Sequence, residues 1–180
     1  NFHFEKDGRK CKIVTPQQIF NEFSSGKQDI SSIRDYCKYL YGLPNTPFKY
    51  LLILGDASYD PKDRIPNNTN FIITYQSSNS VSPLNTFATD DYFGYLDNNE
   101  GLLENDLIDI GIGRLPAKTL IEANNMVNKI IHYHDYSSRG DWRNMNCFIA
   151  DDGDDNDGNI HMSQAESLSN IVNDNYNIYN

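Results

Sequence analysis

"YLLILGD", residues 50–56, decides the fold. A continuous apolar run ends abruptly in Gly-Asp. Such a run, bounded by turn residues, reads as a strand buried on both faces of a parallel sheet. The chain on either side fits this reading. Upstream, "KCKIVT" (10–15) predicts another strand, and Pro16 opens a helix through "QQIFNEF". Asp29 caps a second helix, in which Ile30, Ile33, Cys37 and Leu40 recur at helical spacing. Gly42 and Pro44 end it.

Downstream, residues 57–107 are long and irregular, with short strands expected at "FIITY" (71–75) and "DYFGYL" (91–96). A stretch like this carries function or a hairpin excursion. "IDIGIGR" (108–114) is the next strand. Ile108, Ile110 and Ile112 take one face, while Asp109, Gly111 and Gly113 take the other, where missing side chains admit a close neighbour. No third glycine or immediate helix follows, so this is not a dinucleotide fingerprint. Thr119 and Glu122 form a capping box for a helix with Ala123, Met126, Val127, Ile130, Ile131 and His134 on its apolar face. "CFIAD" (147–151) is the fourth clear strand. Ser163 and Glu166 form a second capping box, before a helix that buries Leu168, Ile171 and Val172.

Alternation of strands and helices predicts an α/β fold with a parallel sheet. Ligands bind such sheets outside the carboxyl ends of the strands. Three charged tips are expected there: Asp56, Arg114 and the pair Asp151/Asp152.

The whole chain narrows the partners. Its 180 residues carry a formal net charge of −10. Nucleic acid and anionic membrane both need a basic face, so they are excluded as main partners. No apolar run reaches the roughly 18 residues of a membrane span. The start, "NFHFEKDG", has no signal peptide and no methionine, and reads as part of something longer, as does the uncapped ending. Cys11, Cys37 and Cys147 form neither a disulfide framework nor a zinc spacing. Cys37 and Cys147 are expected as buried core residues.

The aspartate-rich stretch after "CFIA", with Asp151, Asp152, Asp154, Asp155 and Asp157, admits several readings. An EF-hand starting at Asp155 fails because Ile160 stands where glycine is required. A phosphoacceptor domain would need more chain after Asp152. A Cys147–His161 dyad fails on reach, because Cys147 lies roughly 13 Å of strand before Asp151. Two readings stay open: a polar turn, and a carboxylate that orients the histidine of a thiolate–histidine pair located elsewhere.

"IFNEFSSGKQDISSIRDY", "YLLILGDASYDPK", "ITYQSS", "ATDDYFGYLD", "IDIGIGRLPA" and "DWRNMNCFIADDGD" together resemble the gingipain family of cysteine peptidases over essentially the whole chain. Within it they resemble the PorU-type branch, the signal peptidase and sortase of the type IX secretion system. The resemblance implies a caspase-like three-layer sandwich with a mainly parallel sheet, incomplete in this chain. Residues 1–144 would be the first α/β subdomain, without its N-terminal strand, and 145–180 the start of the second, catalytic subdomain. It places the catalytic Cys and a Gly-His-Gly histidine beyond Asn180, so this chain alone should be inactive. It assigns the histidine-orienting acid to Asp151 or Asp152, with Asp151 favoured, and a place in the substrate pocket to His161. Gingipains carry an acid near that position, so His161 departs from a basic-side-chain specificity.

The family also binds calcium. Asp56, Asp60, Asp63, Asp90 and Asp91 would carry the Ca2+ here, with Asx turns or helix caps as the competing role. The chemistry itself needs no cofactor. Partners would be protein or peptide substrates and secretion-system proteins, at the bacterial outer surface or outside the cell. The rival expectation is a non-catalytic, calcium-stabilised surface domain of a secretion machine.

Overall fold

A computed structural model describes residues 2–45, 47–78, 81–82, 85–101, 106–153, 155–156, 158–172 and 177–179. The chain divides into two compact units, Asn1–Lys129 and Ile130–Asn180.

The first unit is built on the predicted strands. β1 (Tyr50–Leu54) pairs in parallel with β4 (Gly111–Leu115), in the register Tyr50↔Gly111 through Leu54↔Leu115. Ahead of them lie α1 (Phe2–Asp7), α2 (Pro16–Phe23) and α3 (Ile30–Tyr41). α2 starts at a capping box: Thr15 Oγ1 accepts from the Gln18 amide, and the Thr15 amide donates to Gln18 Oε1 at 2.8 Å. Asp29 caps α3 by accepting from the Ser31 amide at 2.9 Å. Both caps satisfy first-turn amides that a helix cannot pair itself. The two helices pack through Ile19, Phe20 and Ile33 onto Ile53, Ile73, Tyr92 and Phe93, which form the main core. Cys37, Leu96 and Ile110 form a second cluster.

Several expectations change here. β1 is covered on one face only: Leu51 and Ile53 turn to the core, while Tyr50, Leu52 and Leu54 are exposed. Opposite them on β4, Gly113 has nothing within 4 Å of where a Cβ would sit. "KCKIVT" makes no strand pairing with any described residue, so it is not a strand, and Ile13 is 94% exposed. Of "FIITY" only Tyr75 is paired, in the two-residue antiparallel ribbon of β2 (Tyr75–Gln76) and β3 (Ala88–Thr89). "DYFGYL" contains a 3-10 turn, Asp91–Gly94, because the Gly94 backbone must lie against Ile108 and Ile112. A Cβ on Gly94 would come within 2.7 Å of both side chains.

α4 (Leu120–His134) follows, and Thr119 caps it as expected, accepting from the Glu122 amide at 3.2 Å. Glu122 returns its bond to the Lys118 amide instead of Thr119. Its apolar stripe is only half-buried at Ala123, Met126 and Ile130, and Val127, Ile131 and His134 are exposed. A stripe is buried only where another element covers it.

In the second unit, β5 (Met145–Cys147) pairs in parallel with β6 (Asn177–Tyr179), and α5 (Ile160–Ser169) lies between them in sequence. The predicted strand 147–151 is thus displaced: pairing stops at Cys147, and Phe148–Asp151 continue without a ladder. Cys147 is exposed rather than buried. α5 starts three residues before the expected cap, with Asn159 as N-cap and the Ser163 amide already donating to the Asn159 carbonyl. Leu168 and Ile171 are exposed, contrary to the expected buried face. Arg143 ties the start of this unit together: it donates to the Tyr133 carbonyl and to Ser138 Oγ and stacks on the Tyr133 and Trp142 rings.

Candidate active site

In the first unit, the carboxyl edge of the sheet gathers two of the predicted tips. Asp56 follows β1, its amide bonded to the Ala117 carbonyl, and Arg114 lies on β4 beside Ile53. Arg114 is fully engaged. Nε and Nη2 grip the two carboxylate oxygens of Asp90 at 2.7 Å each. Nη1 donates to the Gly55 and Ile72 carbonyls at 2.8 and 3.0 Å, and Nη2 also donates to the Ile73 carbonyl at 3.3 Å. These five bonds use all five N–H groups of a guanidinium. The pair is largely buried, with the Arg114 and Asp90 side chains 13% and 18% exposed.

The five aspartates singled out for calcium do not converge. Asp90 is held by Arg114 and by the Thr74 hydroxyl at 2.9 Å. Asp60 Oδ2 accepts from the Arg64 and Ile65 amides at 2.5 and 2.7 Å, so this carboxylate closes the loop that follows it. Asp56 accepts from the Thr69 hydroxyl at 2.5 Å and lies 3.8 Å from Lys118 Nζ. Asp63 occupies a left-handed turn position at φ 52°, and Asp91 opens the 3-10 turn, its amide bonded to Thr89 Oγ1. Among the described residues, no three His, Cys, Asp or Glu side chains gather as a metal ion requires. Elsewhere in this unit, burial, and then the neighbouring carboxylates Asp91, Asp106 and Glu100, push the Tyr95 phenol up. Burial alone pushes the Cys37 thiol up to about 12, so it is no nucleophile.

The second unit holds the remaining predicted residues. Asp151 and His161 line one open cleft of about 440 Å³, with Phe148, Ile149 and Ala150 on the chain after β5 and Gln164, Ala165 and Leu168 on α5. His161 is the second residue of α5, so it projects from the first helical turn toward the strand extension that carries Asp151. Asp152 does not line the cleft; its amide donates to Asp151 Oδ1 at 3.0 Å. This bond fixes one carboxylate oxygen and leaves the carboxylate solvated, in an exposed loop. Asp154 and Asp157 lie outside the described residues.

Sequence reasoning missed two features of these sites. The partner of Arg114 is Asp90, 24 positions away, and no spacing rule links them; only the shared carboxyl edge hints at contact. Leu168 was placed on a packing face and Gln164 was given no role, yet both line the cleft, one and two helical turns beyond His161.

The whole chain, residues 1–180, matches the family model described as Peptidase family C25. Among solved structures it is similar to dimeric latent PorU from Porphyromonas gingivalis, at 32% identity and a TM-score of 0.66. The match covers 79% of this chain and 14% of the PorU chain. No match is found among curated proteins. The parallel β1/β4 pair with its helices is thus the α/β, caspase-like fold of that group. The chain belongs to peptidase family C25, the gingipain family of cysteine peptidases.

Proposed function

We propose that the chain is part of a secreted, gingipain-like cysteine endopeptidase that cleaves or transpeptidates secreted proteins. A thiolate attacks the substrate carbonyl, the peptide C–N bond breaks as a histidine protonates the leaving amine, and the acyl group then passes from sulfur to water or to an amine, which frees the thiolate. Cys and His would come from sequence beyond Asn180. The observation that carries the reading is the shared cleft of Asp151 and His161. A carboxylate orients an imidazole only from hydrogen-bond reach, so it must stand at the mouth of the substrate site. Asp151 fills that role better than Asp152, because Asp151 faces the cleft. His161 lines the pocket for a substrate side chain. Its imidazole, with Ala165 and Leu168 beside it, favours a neutral side chain over Arg or Lys.

On this reading, residues 145–180 open the catalytic subdomain and 1–144 form the supporting one. Similarity to PorU supports a place at the bacterial surface among secretion-system proteins. No helix among the described residues is long and apolar enough to cross a membrane. The test is to label the full-length protein with a peptide bearing a thiol-reactive group and map the adduct. The expected site is a cysteine beyond Asn180. Labelling confined to Cys11, Cys37 or Cys147, with no peptidase activity, would sink the reading.

A further inference from the structure

The cleft of the second unit has two walls of matching length. Extended chain from Phe148 to Asp151 covers about 10 Å, at roughly 3.3 Å per residue. On α5, His161 to Leu168 also covers about 10 Å, at roughly 1.5 Å per residue. Asp151 and His161 are the residues of the two walls closest in sequence, and Phe148 and Leu168 the farthest apart. The cleft therefore has a polar mouth at Asp151 and His161. Beyond that mouth the lining is apolar, through Phe148, Ile149, Ala150, Ala165 and Leu168, with one exception. Gln164 stands one turn in from His161 on the same helix face. Its carboxamide offers two donors and an acceptor, and it bonds to no other group among the described residues.

We propose that Gln164 is a specificity-determining residue of the peptidase: it reads a carboxamide side chain, glutamine or asparagine, in the substrate residue that enters this cleft. This rests on the peptidase reading above and on the cleft as its substrate pocket. Two carboxamides meet as donor and acceptor at once, so each returns the other's hydrogen bond. An aliphatic side chain would expel water from Gln164 and leave its amide unpaired, and a site built to bond a polar group rejects the analogue that lacks it. Lysine or arginine would carry a charge past Asp151, the one carboxylate of the lining, onto apolar walls.

The test uses the full-length protein and peptides built on one sequence that it cleaves. Glutamine, asparagine, methionine and lysine are placed in turn at each of the two residues flanking the cut, and kcat/KM is measured for each. Methionine is close to glutamine in length and lacks the amide. At one of the two positions the wild type should favour glutamine or asparagine over methionine by about tenfold or more. Gln164→Leu should bring that ratio within about twofold of one. Gln164→Glu should lift lysine above glutamine at the same position, because a carboxylate would then meet the cation. These ratios do not depend on how much of a variant is folded, so a loss of stability cannot imitate them. A wild type with no amide preference at either position overturns the proposal, and so does an amide preference that survives Gln164→Leu. A wild-type protein without peptidase activity sinks the functional reading, and this proposal with it; the other two results, in an active enzyme, sink this proposal alone.

Discussion

Two aspartates, Asp90 directly after β3 in the first unit and Asp151 in the loop beyond β5 in the second, look alike in sequence and differ in every physical respect. Asp90 is largely buried, gripped by Arg114 through both oxygens and bonded again by Thr74. Asp151 is exposed, accepts one backbone bond from its neighbour and faces an open cleft. A saturated buried carboxylate holds structure, and its removal leaves an uncompensated cation. An unsaturated one at a cleft is available to a histidine or a substrate. The count of aspartates in a stretch says little; the number of partners each already has says much more. Asp60, with two amides on one oxygen, belongs with Asp90.

The contrast breaks most visibly at Arg114. Arg114→Met should cost about 3–5 kcal/mol of stability by urea unfolding, the usual result of orphaning one partner of a buried pair. Replacing Asp151 by Ala should leave unfolding within about 0.5 kcal/mol, as expected of an exposed site. A loss at Asp151 comparable to that at Arg114 would show the contrast to be false.

A second measurement concerns the buried thiol of the first unit against the exposed one of the second. Cys37 is pushed from 9.0 up to about 12 by burial. Its folded form holds its proton where the unfolded form has lost it, so stability is fully present below pH 9 and falls as pH rises from about 9 toward 12. Cys37→Ala should flatten that decline while leaving a small cavity. In the native protein, alkylation at pH 8 followed by mass spectrometry should modify Cys11 and Cys147 and spare Cys37.

Smaller effects are expected at the helix caps. Thr15→Ala removes one side of a complete capping box and should cost about 1 kcal/mol. Asn159 caps α5 without a side-chain bond, so Asn159→Ala should cost less, measured by the same unfolding curves. The smallest effect belongs to calcium. Because the five aspartates do not converge, millimolar Ca2+ should leave the melting temperature within about 1 °C of its value in chelator. A larger upward shift would assign a metal role to these loops.

Much of the first unit was legible in the sequence. "YLLILGD" and "IDIGIGR" announced the parallel pair, and Pro16, Asp29 and Thr119 announced three helix starts, because caps and apolar runs are local signals. Two errors share one cause. "KCKIVT" and residues 148–151 have strand-like composition, but a strand is a pairing, and a pairing partner cannot be read from the segment itself. Ser163 misled for a related reason. Its capping box is correct in spacing, yet the helix had already begun at Ile160, in a turn whose cap Asn159 makes no side-chain bond. At the site, the family resemblance singled out Asp151 and His161 separately, and only the folded chain puts both on one cleft. The Arg114–Asp90 pair was not, because only the folded edge brings those segments together.

On the proposed function, the acid facing the cleft, Asp151, and not its neighbour serves the catalytic histidine. Measuring kcat/KM for Asp151→Ala and Asp152→Ala in the full-length protein tests it most directly. Asp151→Ala should lower it by roughly three to four orders of magnitude. Asp152→Ala should stay within about threefold of wild type, as for a solvated loop residue. Equal losses at both positions, or undiminished turnover without Asp151, would contradict it.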